Sequence, residues 1–163
     1  MAQSTPPVRL ARGDLAPGFT LIDADGVPFT LAELRGQRVV LYFYPAAFTP
    51  GCVREARDFR DHLAEFTAGG YQVVGVSPDP PEVAREFRAA ERLSFPLLCD
   101  PEHRVMSGYG AYGPKRLYGR EVVGVVRSTF VLDAEARVER AYYQVAADGH
   151  VAELRADLGL APV

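Results

Sequence analysis

This 163-residue sequence has only two cysteines, Cys52 and Cys99, and only one lysine, Lys115. Two thiols are too few to staple a disulfide scaffold; in a chain without export features they are expected to be reduced and, if functional, catalytic. The start, Met1-Ala2-Gln3-Ser4-Thr5-Pro6-Pro7, has neither a charged n-region nor an apolar h-region, which predicts no secretory signal and a cytoplasmic protein. No apolar run approaches the roughly 20 residues of a membrane helix. A net charge of −3 makes no electrostatic case for nucleic acid or an anionic membrane. His62, His103 and His150 are scattered without metal-ligand spacing to the cysteines, so no metal or other cofactor is expected. The glycine-rich stretch 108–119 lacks the strand–Gly-x-x-x-x-Gly-Lys–helix layout of a phosphate cradle. Nearly all the basic charge is arginine, and no function follows from that.

What is present fits one ordinary folded domain over residues 13–163 after a mobile tail at 1–12, with 48% apolar and 24% charged residues. The organising stretch is 43–52. The apolar run Val39-Val40-Leu41-Tyr42-Phe43 reads as a buried strand, and an amphipathic run follows it, with Val53, Ala56, Phe59, Leu63 and Phe66 on one helical face. Cys52 therefore falls where a loop turns into a helix. Backbone N–H groups there have no intrahelical partner and carry partial positive charge. A thiol in that field ionises more easily, and the thiolate is the reactive form.

In chain order, Asp25-Gly26 predicts a hairpin between Phe19–Asp23 and Val27–Thr30, and Leu31–Gly36 a helical turn ended by glycine. Tyr71–Ser77 reads as a second buried strand, Glu82–Arg92 as a helix, Phe95–Asp100 as a short strand and Pro101–Tyr109 as a short helix. Gly110–Glu121 reads as a long loop, Val122–Leu132 as a strand, Arg137–Tyr143 as its partner and Gly149–Leu158 as a final helix. Strands alternating with helices predict an α/β fold with a mostly parallel central sheet, flanking helices and a late antiparallel hairpin.

Pro45, Thr49 and Cys52 form the pattern Pro-x-x-x-Thr-x-x-Cys. It resembles the active-site loop of the peroxiredoxins, and Tyr42-Phe43-Tyr44-Pro45 with Phe48-Thr49-Pro50-Gly51-Cys52 is most similar to their bacterioferritin-comigratory, or PrxQ, branch. Gly13-Asp14-Leu15-Ala16-Pro17, Val74–Asp79, Phe95–Asp100 and Tyr112-Gly113-Pro114-Lys115 resemble family wording too. The resemblance implies a thioredoxin-like fold with an N-terminal hairpin. It also implies a peroxidase for hydrogen peroxide and organic hydroperoxides, recycled by a thioredoxin-like protein or a low-molecular-weight thiol, and often monomeric. No exposed apolar stripe argues against a monomer.

Such chemistry needs a thiolate, an O–O bond held in line with it, and stabilisation of the leaving oxygen. Cys52 would be the nucleophile, with the Gly51 and Cys52 N–H groups and the Thr49 hydroxyl at the peroxide, and Pro45, which has no N–H, walling off water. Thr49 could also cap the helix. Arg127 lies in an apolar strand, and Arg127-Ser128-Thr129-Phe130 resembles the family strand whose arginine contacts the cysteine and the peroxide. Glu55, three positions after the cysteine, matches an acidic residue of the branch and reads as an ion-pair partner that orients an arginine.

One departure concerns the second thiol. Many members of the branch carry a resolving cysteine five positions after the first, where this chain has Arg57; others carry it in the helix before the Phe-Pro-Leu strand, and residues 82–94 contain none. Cys99 either resolves the sulfenic acid or is a buried hydrophobe, in which case an external thiol reduces Cys52. A disulfide between subunits is a third route. Two rival functions remain. A thiol–disulfide oxidoreductase on this fold would want Cys-x-x-Cys, which is absent. A redox sensor or holdase would use Cys52 oxidation without rapid turnover.

Overall fold

Parity along one strand divides the core. In β3 (Arg38–Phe43), Val40 and Tyr42 face one layer, while Val39, Leu41 and Phe43 face the other, as alternation in a doubly covered strand requires. The computed structural model describes residues 9–162. It has β1 (Thr20–Asp23), β2 (Pro28–Thr30), a 3-10 turn at Leu31–Leu34, β3, α1 (Pro50–Asp61), α2 (Leu63–Ala68), β4 (Tyr71–Ser77), α3 (Pro81–Ala90) and β5 (Leu97–Cys99). Then follow α4 (Arg104–Tyr109), β6 (Tyr112–Leu117), β7 (Arg120–Val125), β8 (Ser128–Leu132), β9 (Val138–Tyr142) and α5 (His150–Asp157).

Seven strands form one sheet in the order β2-β1-β5-β4-β3-β8-β9. The fold is α/β and thioredoxin-like, with the N-terminal hairpin and flanking helices in place. The sheet is mixed, which corrects the expectation of a mostly parallel one. Only β3–β4 and β4–β5 pair in parallel; the other pairings are antiparallel. Short turns join β1 to β2 and β8 to β9, and a short turn permits only an antiparallel pair. Phe59, Phe66, Phe87, Val151 and Leu154, from α1, α2, α3 and α5, fill one layer. Met106, Tyr109, Phe130, Leu31 and Ala16 help fill the other. Each fully buried aromatic or aliphatic side chain contributes about 1.5–3 kcal/mol.

Three further expectations change. The helix expected from Val53 through Phe66 breaks at His62, whose backbone (φ −114°, ψ 12°) leaves the helix before α2 begins. Residues 110–121 are not a loop: β6 and β7 pair from Tyr112↔Val125 to Leu117↔Arg120. Tyr118 and Gly119, at φ 53° and 76°, make the two-residue turn, a backbone whose twist matches paired strands. Val126 and Arg127 interrupt the run expected as one strand, separating β7 from β8.

The β6–β7 hairpin also exposes Leu117, Tyr118 and Val123, the apolar surface not expected from the sequence. The expected mobile tail lies outside the described residues at 1–8. From Arg9 on the chain is held: the Arg9 guanidinium sits 4.3 Å from the centre of the Tyr143 ring, and the Leu10 N–H donates to the Tyr143 hydroxyl at 2.9 Å. Among the described residues no helix is long and apolar enough to cross a membrane.

Candidate active site

The loop from β3 to α1 is tied down before it reaches Cys52. The Tyr44 N–H continues the sheet to the Val76 carbonyl at 3.0 Å. The Ala47 N–H donates to the Asp79 carboxylate at 2.8 Å, and the Ser77 hydroxyl donates to the same oxygen at 2.8 Å. Phe48 then takes φ 64°, an uncommon backbone for a bulky residue, while its ring packs edge-on against Phe87 at 5.3 Å. This strained corner turns the chain into α1, with Thr49 at the cap position, Pro50 in the first turn and Cys52 next but one. Proline is suited to the first turn because its missing N–H would have had no partner. The Gly51 and Cys52 N–H groups are left without intrahelical acceptors, since the bonds begin with Val53 N–H to Thr49 O at 2.9 Å.

Cys52 is 1% exposed, and its sulfur receives a hydrogen bond from Arg127 Nη2 at 3.4 Å. Arg127 Nη1 donates to Glu55 Oε1 at 2.6 Å, and Glu55 is fully buried. The break between β7 and β8 makes this possible, because Arg127 lies outside both strands and reaches α1 one turn above the sulfur. Its main chain is held by the Val145 N–H, which donates to the Arg127 carbonyl at 3.0 Å. Burial pushes the Glu55 carboxyl up to about 7, against the pull of Arg127. For Arg127, burial opposes the charge, but Glu55 and the Cys52 sulfur outweigh it and the pKa is raised.

The sequence-predicted residues are not all placed as expected. Thr49 holds the cap position without a side-chain cap; its hydroxyl donates instead to the Ala46 carbonyl at 2.8 Å. Pro45 is half-buried in the same loop. Cys99 sits on β5 at 3% exposure, and both cysteines are free. Burial, with Asp79, Asp23 and Glu82 adding to it, raises the Cys99 thiol to about 11.

Other neighbours of the sulfur were not evident as site residues. Tyr42 stacks on Tyr44 and on Phe59, at 5.3 and 4.5 Å between ring centres. The Tyr42 and Tyr44 hydroxyls and Glu55 Oε2 are buried without a hydrogen-bond partner among the described residues. Tyr42 read from sequence as a strand apolar and Tyr44 as part of the organising stretch with no role of its own; the alternation of β3, carried one residue past its end, was the available signal for their shared face. Asp79 read as a turn residue; its place in Ser77-Pro78-Asp79 was the signal there. Two clefts, of about 480 and 630 Å³, lie away from Cys52, and a third of about 480 Å³ runs along α1 beside Pro50, Val53 and Arg54. No group of three His, Cys, Asp or Glu side chains among the described residues is placed to hold a metal ion.

A model of the AhpC/TSA family matches residues 12–141. The chain belongs to the AhpC/TSA family. Among relatives in it, a putative peroxiredoxin of Mycobacterium tuberculosis is 55% identical over 156 residues, spanning 96% of this chain and 99% of the relative. Peroxiredoxin Bcp of Escherichia coli is 39% identical over 141 residues, spanning 86% and 90%. The chain is similar to the solved bacterioferritin comigratory protein of Xanthomonas campestris, whose alkyl peroxide reduction activity was studied, with a TM-score of 0.80 and 34% identity over 86% of this chain and 90% of that one. It is also similar to PrxQ of Xylella fastidiosa, with a TM-score of 0.85 and 29% identity over 93% and 97%. As an AhpC/TSA member of the Bcp/PrxQ kind, the chain is a thiol-dependent peroxidase.

Proposed function

We propose that Cys52 is the peroxidatic nucleophile and that the enzyme works with a single catalytic cysteine. The thiolate attacks the terminal oxygen of hydrogen peroxide or an organic hydroperoxide. The S–O bond forms as the O–O bond breaks, leaving a sulfenic acid and a hydroxide or alkoxide that takes up a proton. Arg127 Nη2 and the Gly51 and Cys52 N–H groups face the charge that develops. The Thr49 hydroxyl gives its proton to Ala46, so its oxygen is free to accept from the peroxide O–H. Pro45 shields the site without adding a donor. The observation that carries this reading is the Glu55–Arg127–Cys52 chain of contacts, at 2.6 and 3.4 Å.

Cys99 is a poor resolving residue. A thiol with a pKa of about 11 is ionised to about one part in 10⁴ at pH 7, and exchange at sulfur needs the thiolate. The sulfenic acid is therefore reduced from outside, by a thioredoxin-like protein or a low-molecular-weight thiol. The reading keeps the sequence expectation of a monomer acting in the cytoplasm.

The test is intact mass after one equivalent of hydrogen peroxide, with thiol trapping. Wild type and Cys99→Ser are expected to gain one oxygen, trappable as sulfenic acid, and Cys52→Ser to gain none. Loss of two hydrogens and of both thiols without dimer formation would make Cys99 a resolving residue. An unreactive Cys52 would overturn the assignment itself.

Gly51 offers a subtler check. A Cβ there would lie 3.1 Å from Arg127 Nη2 and 3.4 Å from the Ala147 Cβ. Gly51→Ala should push the guanidinium off the sulfur and slow Cys52 oxidation about tenfold, the scale of a weakened charge-assisted bond. Rapid-quench mass spectrometry reads the rate, and an unchanged rate would mean that the guanidinium contact is dispensable.

A further inference from the structure

Lys115, the chain's single lysine, has a built seat on the β6–β7 hairpin. It pairs across to Val122, and Gly113 pairs with Gly124, so these four residues share one face of the ribbon. The two glycines leave that face bare beyond Lys115, and the lysine stem lies across it. A Cβ on Gly124 would meet Lys115 Cε at 3.3 Å. The ammonium ends on the Val125 carbonyl at 2.6 Å.

Val125 is the last residue before the interruption that presents Arg127. The hydrogen bonds that hold this corner include Lys115 Nζ to Val125 O, the Ser128 hydroxyl to Val126 O at 2.8 Å, Val126 N–H to Ala111 O at 2.7 Å, and Val145 N–H to Arg127 O at 3.0 Å. Of the two from side chains, only the lysine's brings a charge with it. Burial lowers the Lys115 pKa, the Arg127 guanidinium lowers it further, and Cys52 pulls the other way.

We propose that Lys115 is a positioning residue of the peroxidase reaction. By holding the Val125 carbonyl it fixes the corner that carries Arg127 against the sulfur. This rests on the reading of Cys52 as the sulfur that attacks peroxide. Lysine suits the place because its ammonium is compact and donates in several directions at the end of a flexible stem.

The experiment compares wild type, Lys115→Met, Lys115→Arg and Gly124→Ala. Two quantities are read: the rate of Cys52 oxidation by hydrogen peroxide, and the pH midpoint of Cys52 alkylation by iodoacetamide, resolved from Cys99 by peptide mass. Lys115→Met is expected to slow oxidation about threefold to tenfold and move the midpoint to higher pH, as a loosened Arg127 guanidinium beside the sulfur requires. Lys115→Arg should keep the wild-type midpoint, and Gly124→Ala, which makes the lysine stem give by a few tenths of an ångström, should move both readouts part of the way toward the methionine variant.

A wild-type rate and midpoint in Lys115→Met overturn the proposal. So does a slower rate with an unmoved midpoint, because a purely structural pin would give that. Should the methionine variant unfold, Gly124→Ala decides by the same readouts. If peroxide leaves Cys52 of the wild type unoxidised, the underlying reading falls and this one with it; if Cys52 is oxidised and Lys115→Met is unchanged, only the lysine proposal falls.

Discussion

Replacing Arg127 with methionine should slow the attack of Cys52 on hydrogen peroxide by about 10²–10³-fold, the usual loss when one pre-organised donor to developing charge is removed. The same change should destabilise the fold, because it strands Glu55. That carboxyl is fully buried, its Oε1 would lose its only ionic partner at 2.6 Å, and its Oε2 already has none among the described residues. Breaking a buried pair from one side costs about 3 kcal/mol or more.

The cost should depend on pH in a definite sense. Burial already raises the Glu55 carboxyl from 4.5 to about 7, and losing Arg127 raises it further. A carboxyl with a raised folded-state pKa holds its proton longer in the native state, so stability falls as pH climbs above the unfolded value. Arg127→Met should therefore lose more stability at pH 8 than at pH 5. Adding Glu55→Gln should restore most of the stability and none of the rate. Urea melts and rapid-quench mass spectrometry separate the two effects; a double variant that recovers both would mean that Arg127 matters only as a structural partner.

Acid should weaken the protein through His150. This ring is 3% exposed, bonds to the Thr129 hydroxyl through Nε2 at 2.8 Å, and has no hydrogen-bond partner for Nδ1 among the described residues, Glu153 Oε1 lying 3.7 Å away. Burial, with Arg127 adding to it and Asp157 opposing, lowers its pKa from 6.5 to about 4. Here the folded state binds its proton later than the unfolded chain does. The contribution is complete above pH 6.5 and lost as pH falls toward 4; a shift of this size is worth about 3 kcal/mol. Wild type should lose about that much more stability than His150→Gln between pH 7.5 and 4.5, by urea titration. Parallel losses would acquit His150 and leave acid sensitivity to the carboxylates.

Much of the site was legible because its signals are local. Pro50, Gly51 and the spacing of Val53, Ala56 and Phe59 specify where α1 starts and which face it buries, and that puts Cys52 in the first turn. The expectation that Glu55 pairs with an arginine holds for the same reason: positions three apart on a helix share a face, so a group aimed at Cys52 can also reach Glu55. The capping role for Thr49 failed at equally short range. Its hydroxyl is turned to donate to the Ala46 carbonyl, which the turn at Phe48 brought to 2.8 Å, and accepts from no N–H of the first turn. The β6–β7 hairpin was missed because four glycines and prolines in residues 110–121 look like loop chemistry, although Tyr118-Gly119 supplies its turn.

The sequence by itself determined the buried central strands, the start of α1 and the family. Each of these follows from periodicity or from residues close together along the chain. Tertiary structure decided the rest. It set the mixed sheet and the interruption at Val126-Arg127 that lets a strand-like arginine leave the sheet and reach the sulfur. It also placed Lys115 across Gly124, and Tyr42 near Glu55. The reason is physical. The cost of burying Arg127 is met by Glu55, 72 positions away in the chain, and an interaction between such distant residues exists only once the sheet has brought them together.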